Sequence, residues 1–456
     1  MAKANYLLPT VKDNIPNFTF INDLTKGWNG VVGKGSEYLP KQLKETDEVY
    51  NLRLKLATYL DSFNPTVEGI LGLIFQKPIS IETNQPEAQE FIDNADLRGK
   101  DINNFIKSYF NVALRKGLAY AYVDIPYSPK GQPKFDKQRK ALGIRPFVVM
   151  IEPENIINWK TAVIGGKIVL IQLTIREFVQ KDKAGSDFEV ETVEQFRVIK
   201  IGSFVVYDKD DAIIDKGDTG LTSIPLVELN LDENGSFFSA KPPFLDLGKL
   251  SISNYQLMSD SRWAANTASI PFLMLAGFTP EEAKKMVVSV NKAMVSSNVD
   301  SKASYVDYEG KGVALNLLLM EKIDKRIAEI GMSVLSESNI EVTATEKTLD
   351  AIQTQSKLQN WVDSLVMSLY QILELVMNYY NKSFEGQISI SANILDRGLS
   401  AEEIKTYSSM VAQSQLSLLT FWDIMKTKGR LSEDFDPVKE QSNIDAETPT
   451  LDTMTI

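Results

Sequence analysis

The chain is 456 residues long, carries a formal charge of −11 at neutral pH and contains neither histidine nor cysteine. The missing residue types exclude Ser/His/Asp triads, Cys/His pairs, disulfides and zinc sites built on thiolate or imidazole. The acidic excess argues against a surface that binds nucleic-acid phosphates tightly. It does not exclude a surface along which a DNA duplex slides, because such a surface would also avoid tight phosphate contacts. At this length we expect about two to four domains.

No segment of the sequence is predicted to enter a membrane. The longest apolar stretch, residues 270–278, is too short and too proline-interrupted to span a bilayer. Residues 1–10 lack the basic-then-apolar pattern of a signal peptide. We therefore expect a soluble, unexported protein.

The N-terminal part is predicted to be an arm followed by three helices. Residues 1–45 are mixed polar and glycine-rich, which we interpret as an extended arm. Helical spacing then appears at residues 46–63, at residues 66–75 and at residues 101–118, where the helix opens at a good N-cap. A strand at residues 120–125 follows directly.

The middle of the chain changes from helical periodicity to a period of two. Between Arg145 and about Asn230, apolar and polar residues alternate and turn residues interrupt them, which predicts an antiparallel meander. The predicted strands cover residues 147–151, 168–178, 188–201 and 204–207.

Two long helical runs then bracket a short insert. The first covers residues 244–267 after two prolines, and the second covers residues 312–335. Each would be a rod of roughly 36 Å. The second run has an apolar stripe at three-and-four spacing, formed by Leu315, Leu319, Ile323, Ile327, Ile330 and Val334.

The insert and the C-terminal part contain shorter elements. The insert is predicted to hold strands at residues 270–275 and 304–308, with a helix at residues 280–288 between them. Beyond the second run, a third long helix is predicted at residues 343–381. Two short helices, 400–413 and 415–428, precede an acidic tail, for which composition suggests disorder or contact with a basic partner.

Three clusters that resemble chemical sites have simpler interpretations. Residues 30–36 are glycine-rich like a phosphate-binding loop, but Lys34 is followed by glycine and no buried strand precedes it. The acidic residues from Asp208 to Asp218 lack the spacing of a calcium loop, so a solvated hairpin turn fits better. The carboxylates of residues 189, 191 and 194 alternate with apolar neighbours, as on the wet face of a strand. We therefore expect no catalytic, cofactor or metal site, and a protein that is not an enzyme.

The order of elements and several local strings resemble the portal proteins of tailed bacteriophages. Each string is a weak signal, whereas the set in this order is fairly specific. The strings are residues 66–78 (TVEGILGLIFQKP), 145–147 (RPF) leading to 153–159 (PENIINW), 224–226 (IPL), 243–247 (PFLDL) running into Asn254 and Tyr255, and 343–346 (TATE).

The resemblance implies a portal-type α+β fold. Its parts would be an N-terminal arm at 1–45, a wing with the meander at 46–243, stem helices at 244–267 and 312–335, a clip at 268–311, a tunnel loop at 336–343, a long wing helix with a return strand at 344–398, and a helical crown with the acidic tail at 399–456.

The resemblance also implies roles for individual residues. The tunnel loop would face DNA through Ser338, Asn339, Ile340 and Glu341. The clip would dock the packaging motor and the tail adaptor, with Glu281, Glu282, Lys284, Lys285, Tyr305 and Tyr308 as candidates. The cations Lys322, Lys325 and Arg326 of the second rod either line a channel or form a solvated helix face, and spacing alone prefers neither.

As a member of that family, the chain would form a ring of about twelve subunits at one capsid vertex, assembled in the host cytoplasm. Double-stranded DNA would be packaged and ejected through the ring. The other implied partners are the large terminase subunit, the major capsid protein, a scaffolding protein and a head-completion or adaptor protein, with no membrane. Two alternatives stay open: another virion structural protein, such as a minor head protein or adaptor ring, and a metal-dependent nucleic-acid enzyme.

Overall fold

The computed structural model describes residues 3–126, 143–183, 188–232, 235–268, 272–285, 298–306, 311–335, 344–390, 401–427, 430–432 and 435–447. These residues form helices and four antiparallel β-sheets. The mixed α+β class predicted from the sequence is therefore confirmed.

The elements of these residues are numbered in chain order. The helices are α1 (Pro9–Thr25), α2 (Trp28–Val32), α3 (Asp47–Leu56), α4 (Phe63–Ile74), α5 (Pro86–Asp93), α6 (Ile102–Lys116), α7 (Leu245–Ala268), α8 (Pro280–Lys285), α9 (Lys311–Leu335), α10 (Ala344–Asn378), α11 (Ala401–Ala412), α12 (Leu418–Thr427) and α13 (Pro437–Glu447). The strands are β1 (Ser80–Thr83), β2 (Leu118–Asp124), β3 (Phe147–Ile151), β4 (Ile156–Ile164), β5 (Lys167–Asp182), β6 (Val190–Lys200), β7 (Ser203–Asp208), β8 (Ile213–Asp218), β9 (Leu226–Asn230), β10 (Phe272–Ala276), β11 (Lys302–Val306) and β12 (Gly386–Ser389).

The extended arm expected for residues 1–45 is wrong, because this segment holds two helices that belong to the core. Helix α1 opens with Pro9 in its first turn, where a missing N–H costs little. Its apolar residues Ile21 and Leu24 are fully buried, as is Val31 of α2. The segment therefore folds against the body of the protein.

The helix predicted at residues 46–63 is observed as α3 but ends earlier, at Leu56, and the helix predicted at residues 66–75 is observed as α4, which begins at Phe63. Proline lacks an N–H and is best tolerated in the first turn of a helix, which is where Pro65 lies in α4. The helix predicted at residues 101–118 is observed as α6. Its N-cap Asp101 accepts the N–H of Asn104 at 2.7 Å, and Gly117 ends it with φ +88°.

Strand β2 lies at the centre of the fold. It pairs with β3 on one side and with β9 on the other, giving a three-stranded sheet in the order β3-β2-β9. The small side chains of Ala119 and Ala121 face the helices, whereas the rings of Tyr120 and Tyr122 face the opposite way. All four are buried, so β2 is covered on both faces.

The predicted meander is present as a five-stranded antiparallel sheet in the order β4-β5-β6-β7-β8. Three details of the prediction were wrong, and the first is that β4 was not among the predicted strands. Residues 147–151 form β3 of the neighbouring sheet, paired with β2 through Tyr120 and Ile151. The strand β8 was missed because its sequence, with Asp215, Gly217 and Asp218, has the composition of a turn.

The two sheets meet in a small aromatic core. Phe238, on the segment between β9 and α7, stacks on Tyr120 at 5.1 Å and on Trp159 at 4.6 Å between ring centroids. Leu173 and Ile175 of β5 are buried in the same cluster.

The main core lies on the other face of β2 and is built around α10. Trp361 of this helix donates its Nε1–H to the carbonyl of Leu231 at 3.0 Å, and its ring meets Phe244 edge-on. The fully or almost fully buried residues of α10 are Leu358, Trp361, Val362, Leu365, Leu369, Ile372, Leu373, Val376 and Met377. After α10 the chain returns in β12, which pairs with β1.

The C-terminal part is helical further than expected. Two of its helices, α11 and α12, coincide with predicted ones, but the acidic tail contains a further helix, α13. Asp436 accepts the N–H of Val438 at 2.9 Å, and Pro437 is the first helical residue. This cap and proline start a helix that composition alone did not predict.

Candidate functional site

The long helices α7 and α9 form an antiparallel pair. Asn254 donates to the Asp324 carboxylate at 2.7 Å, and Ser261 lies against the sulfur of Met320. Residue numbers thus rise along α7 while they fall along α9. At 24 and 25 residues each helix is roughly 36 Å long. The end of α7 and the start of α9 therefore lie together, far from the buried Leu247 and Tyr255 near the beginning of α7.

The insert between the two helices carries a short hairpin at this far end. Strands β10 and β11 pair in antiparallel register from Phe272 with Val306 to Ala276 with Lys302. The carbonyl of Gly277, whose φ is +78°, accepts a bond from the Ser301 hydroxyl at 2.9 Å. The described part of the insert therefore consists of a two-stranded ribbon and α8, which lie at the far end of the helix pair.

The face of α9 that packs on α7 is not the predicted stripe. Its covered row is Val313, Asn316, Met320, Ile323, Ile327 and Ile330, and Ile327 and Ile330 also pack against the main core. The predicted stripe shares Ile323, Ile327 and Ile330 with this row, but Leu315 and Leu319 lie outside it. Val334 lies where side chains are not described. Spacing could not choose the row because the first two turns of α9 are apolar on nearly every side.

Those first two turns expose four leucines. Leu315, Leu317, Leu318 and Leu319 are 57%, 50%, 49% and 40% exposed. At 100° per residue they point to both sides of the helix and away from α7. A helix with apolar side chains on all sides is normally buried on all sides. The exposed leucines therefore indicate a surface that another protein surface covers. The run of three consecutive leucines was the sequence signal for it, and it was overlooked.

The next turns of α9 are charged on their outer side. The three cations for which the sequence left a channel lining and a solvated helix face open, Lys322, Lys325 and Arg326, are all exposed. Arg326 forms an ion pair with Glu329 at 2.7 Å, one turn further along the same helix. The helix thus divides into a leucine half near the insert and a charged half near the body.

A buried arginine fastens α7 to α3. Arg53, on α3, is 1% exposed and binds both carboxylate oxygens of Glu45 at 2.8 and 2.9 Å. It also reaches Asp260 of α7 at 3.1 Å and the carbonyl of Pro40 at 2.7 Å. The hydrogen bond from Arg53 holds the pKa of Glu45 below its ordinary value. The arginine fixes the position of α7 relative to the N-terminal helices.

A second buried cation lies between α6 and the segment before β4. Lys116, 4% exposed, contacts the carboxylates of Glu152 and Glu154 at 2.5 Å each. Burial opposes the ionisation of Glu154, but the charge and hydrogen bond of Lys116 keep the pKa of Glu154 below its ordinary value. Asn22 of α1 donates to the same carboxylate at 2.9 Å. Because every group has a partner from another element, this cluster joins α1, α6 and β4.

The acidic clusters weighed in the sequence lie at ordinary structural positions. Asp208 accepts the N–H groups of Asp210 and Ala212 at 2.8 and 2.9 Å, which makes the predicted hairpin turn. Glu189 is paired with Lys183 at 2.6 Å. Within the described ranges, no three carboxylates converge in a way that would hold a metal ion.

The structure places only some of the residues predicted for the site. Glu281 and Lys284 lie exposed on α8. The side chains of Glu282, Lys285 and Tyr305 are outside the described set, and so is Tyr308. The predicted tunnel loop, with Ser338, Asn339, Ile340 and Glu341, also falls outside the described residues. Among the helices that are described, none combines the length and apolar character needed to cross a bilayer.

Comparison with known proteins gives a family match and a set of structural likenesses, two of which are described below. A domain of unknown function, DUF4055, matches residues 243–380, which begins just before α7 and ends just after α10. The matched range thus contains the helix pair, the insert and the long core helix α10. A search of curated proteins finds no significant match.

Two solved structures resemble the chain over most of its length. One is described as the virion of a native gene transfer agent (GTA) particle, with 9% identity, a TM-score of 0.45, and coverage of 89% of this chain and 98% of that chain. The other is the neck of an empty GTA particle computed with C6 symmetry, with 8% identity, a TM-score of 0.43, and coverage of 87% and 97%. At values this low, neither structure assigns a fold or a function to this chain.

Proposed function

We propose that the chain is a virion structural protein of a tailed phage and, more specifically, its portal protein. Identical subunits close into a ring at one capsid vertex, and double-stranded DNA enters and leaves through the central hole. The helix pair α7 and α9 forms the stem, and the ribbon of β10 and β11 belongs to the clip. The sequence strings and the succession of rod, insert, rod and long core helix support this proposal.

The exposed leucines of α9 are the observation that carries the proposal. In a single chain, the side chains of Leu315 and Leu318 are about half exposed to water. In a ring, each subunit has a neighbour on two sides, so both flanks of α9 that α7 leaves open become covered. A ring therefore accounts for the apolar half of α9 better than a monomer does.

The remaining parts follow from the same arrangement. The clip, at the far end of the stem, would dock the terminase motor during packaging and the head-completion or adaptor protein afterwards. The capsid protein and scaffold would surround the rest of the ring. The subunit number of about twelve and the DNA-facing role of residues 338–341 come from the family resemblance alone. The ring itself would catalyse nothing.

The direct test is imaging and mass measurement of the purified protein. We expect closed rings whose hole is wider than the ~20 Å DNA duplex. The double variant Leu315→Gln/Leu318→Gln should shift assembly toward monomer, because covering the exposed half of each leucine side chain is worth about 1 kcal/mol. The matched control is Lys322→Gln/Lys325→Gln, which makes the same polar substitution on the same side of α9 but in its charged half, and it should assemble like the wild type.

Two results would contradict the proposal. A wild-type protein that stays monomeric at high concentration would exclude a ring. Reproducible cleavage of DNA that a chelator abolishes would favour the alternative, a metal-dependent nucleic-acid enzyme.

A further inference from the structure

The five-stranded sheet ends in two ribbons that project from opposite ends of β5. This strand has 16 residues, and only its middle, Leu173 to Ile175, is fully buried. At about 3.3 Å per residue its two ends lie roughly 50 Å apart. Among the described residues, each end is paired on one side only, so each forms a two-stranded ribbon rather than part of a wider sheet.

The first ribbon is the hairpin of residues 160–170, here named the lysine arm. Its strands pair from Thr161 with Leu170 to Ile164 with Lys167. The partner of β5 on its other side, β6, is paired only as far as Gln172. Both Val163 and Ile168, which are cross-strand neighbours, are 75% exposed. The arm contains two lysines, 160 and 167, and no carboxylate.

The second ribbon, named the acidic arm, consists of residues 178–183 and 189–194. Among the described strands, β4 pairs β5 only up to Ile175, and β7 pairs β6 only from Gln195 onward. Phe178 and Val190 are 58% and 57% exposed. Their cross-strand partners are Glu194 and Asp182, which alternate with them on one face of the ribbon. This arm has four carboxylates and two lysines.

The two arms are complementary to each other. Each offers exposed β-branched or aromatic side chains on a narrow ribbon, and a two-stranded ribbon is only marginally stable when nothing covers it. One arm is positive and the other is negative, so an arm of one copy attracts the opposite arm of another copy. Because the arms lie at opposite ends of one strand, they cannot meet within the same chain.

We propose that the lysine arm of each subunit packs against the acidic arm of the next subunit. The occupant of each arm is therefore a second copy of this chain, joined head to tail as a heterologous contact requires. This contact rests on the proposed ring and adds a second interface to it, separate from the leucines of α9. It joins neighbours through the sheet rather than through the stem.

Charge exchange across the contact provides the test. Ile168→Asp places a carboxylate on the lysine arm, opposite the acidic arm of the neighbour, and Val190→Lys places a cation on the acidic arm. For each single variant, the protein concentration at which half of the chains are assembled should be about tenfold higher than for the wild type. The double variant Ile168→Asp/Val190→Lys restores opposite charges between neighbours, so it should assemble within about threefold of the wild type. Assembly is measured by analytical ultracentrifugation over a concentration series.

The matched control is Ile213→Asp. Ile213 is 59% exposed on β8 of the same sheet but belongs to neither arm, so this variant should assemble like the wild type. Circular dichroism and thermal melting check that all variants are folded, as expected for substitutions at exposed positions.

The outcomes separate this contact from the portal proposal. Rings that form normally in both single variants, or a double variant no better than the worse single one, overturn the arm contact and leave the portal proposal intact. Wild-type chains or dimers that never close, but whose association shows the charge rescue, support the contact and overturn the ring. A wild-type protein that does not associate overturns both.

Discussion

The buried arginine that fastens α3 to α7 leads to a quantitative prediction. Arg53→Ala removes four hydrogen bonds and leaves the carboxylate of Glu45, whose side chain is 4% exposed, without its cation. Breaking a buried ion pair by removing one partner costs about 3–5 kcal/mol. Here residues 40–44, which cover the pair, are themselves exposed, so water reaches Glu45 easily after truncation. We therefore expect a loss at or just below the bottom of this range, about 2–3 kcal/mol.

Hydrogen exchange of the α3 amides is the appropriate assay, because it measures the opening free energy of this helix locally. A loss of about 2–3 kcal/mol corresponds to exchange roughly 30- to 140-fold faster. The protein concentration has to be held constant, since self-association adds to apparent stability. Lys41→Ala is the control, because its ion pair with Asp47 lies in solvent and its loss should leave α3 unchanged.

A double variant tests the physical reason. Arg53→Met/Glu45→Gln also removes the charge of residue 45, so only the partly exposed Asp260 loses its cation and exchange should be slower than in Arg53→Ala. If Arg53→Ala exchanges within about threefold of the wild type, or if the double variant is as fast as the single one, burial of an unpaired charge is not what makes Arg53 important.

Three further predictions concern pH, packing and the tunnel loop. The pKa of Glu45 is lowered from its ordinary value of 4.5, so its stabilisation of α3 should be complete above pH 4.5 and be lost as pH falls through the lowered pKa; exchange measured from pH 6 to 3 should show this in the wild type but not in Arg53→Ala. Gly248→Ala places a methyl group 2.4 Å from Leu24 of α1 and should lower stability by about 1–3 kcal/mol in thermal melts, whereas an unchanged melting temperature would show that the packing of α1 is not tight at this position. Deleting residues 338–341 should leave rings intact in electron micrographs while impairing DNA packaging; loss of the rings would mean that the segment is structural.

The sequence predicted elements best where their signals are local. Helix α6 has its own N-cap at Asp101 and its own terminating Gly117, so both ends were visible. Helix α1 was missed because it depends on tertiary contacts. Its apolar residues are sparse and Pro16 lies inside it, and only packing of Phe18 and Ile21 against the core makes it a helix.

Sequence patterns located the candidate site only in outline. The rods, the insert and the strands of its ribbon followed from periodicity and turn residues. The face of α9 that α7 covers could not be derived, because an all-apolar segment has no polar side to mark the outside. The arms of β5 were equally invisible, since alternation predicts a strand but not which neighbour stops short of its ends.

The double coverage of β2 affects how the protein can be dissected. Its alanines belong to the main core and its tyrosines to the aromatic core. Both cores therefore depend on the same strand. A fragment that stops before Leu118, or one that begins after Asp124, would lack β2. It would therefore lose side chains from both the main core and the aromatic core. The helical body and the meander are therefore inseparable in folding, although they occupy different stretches of the chain.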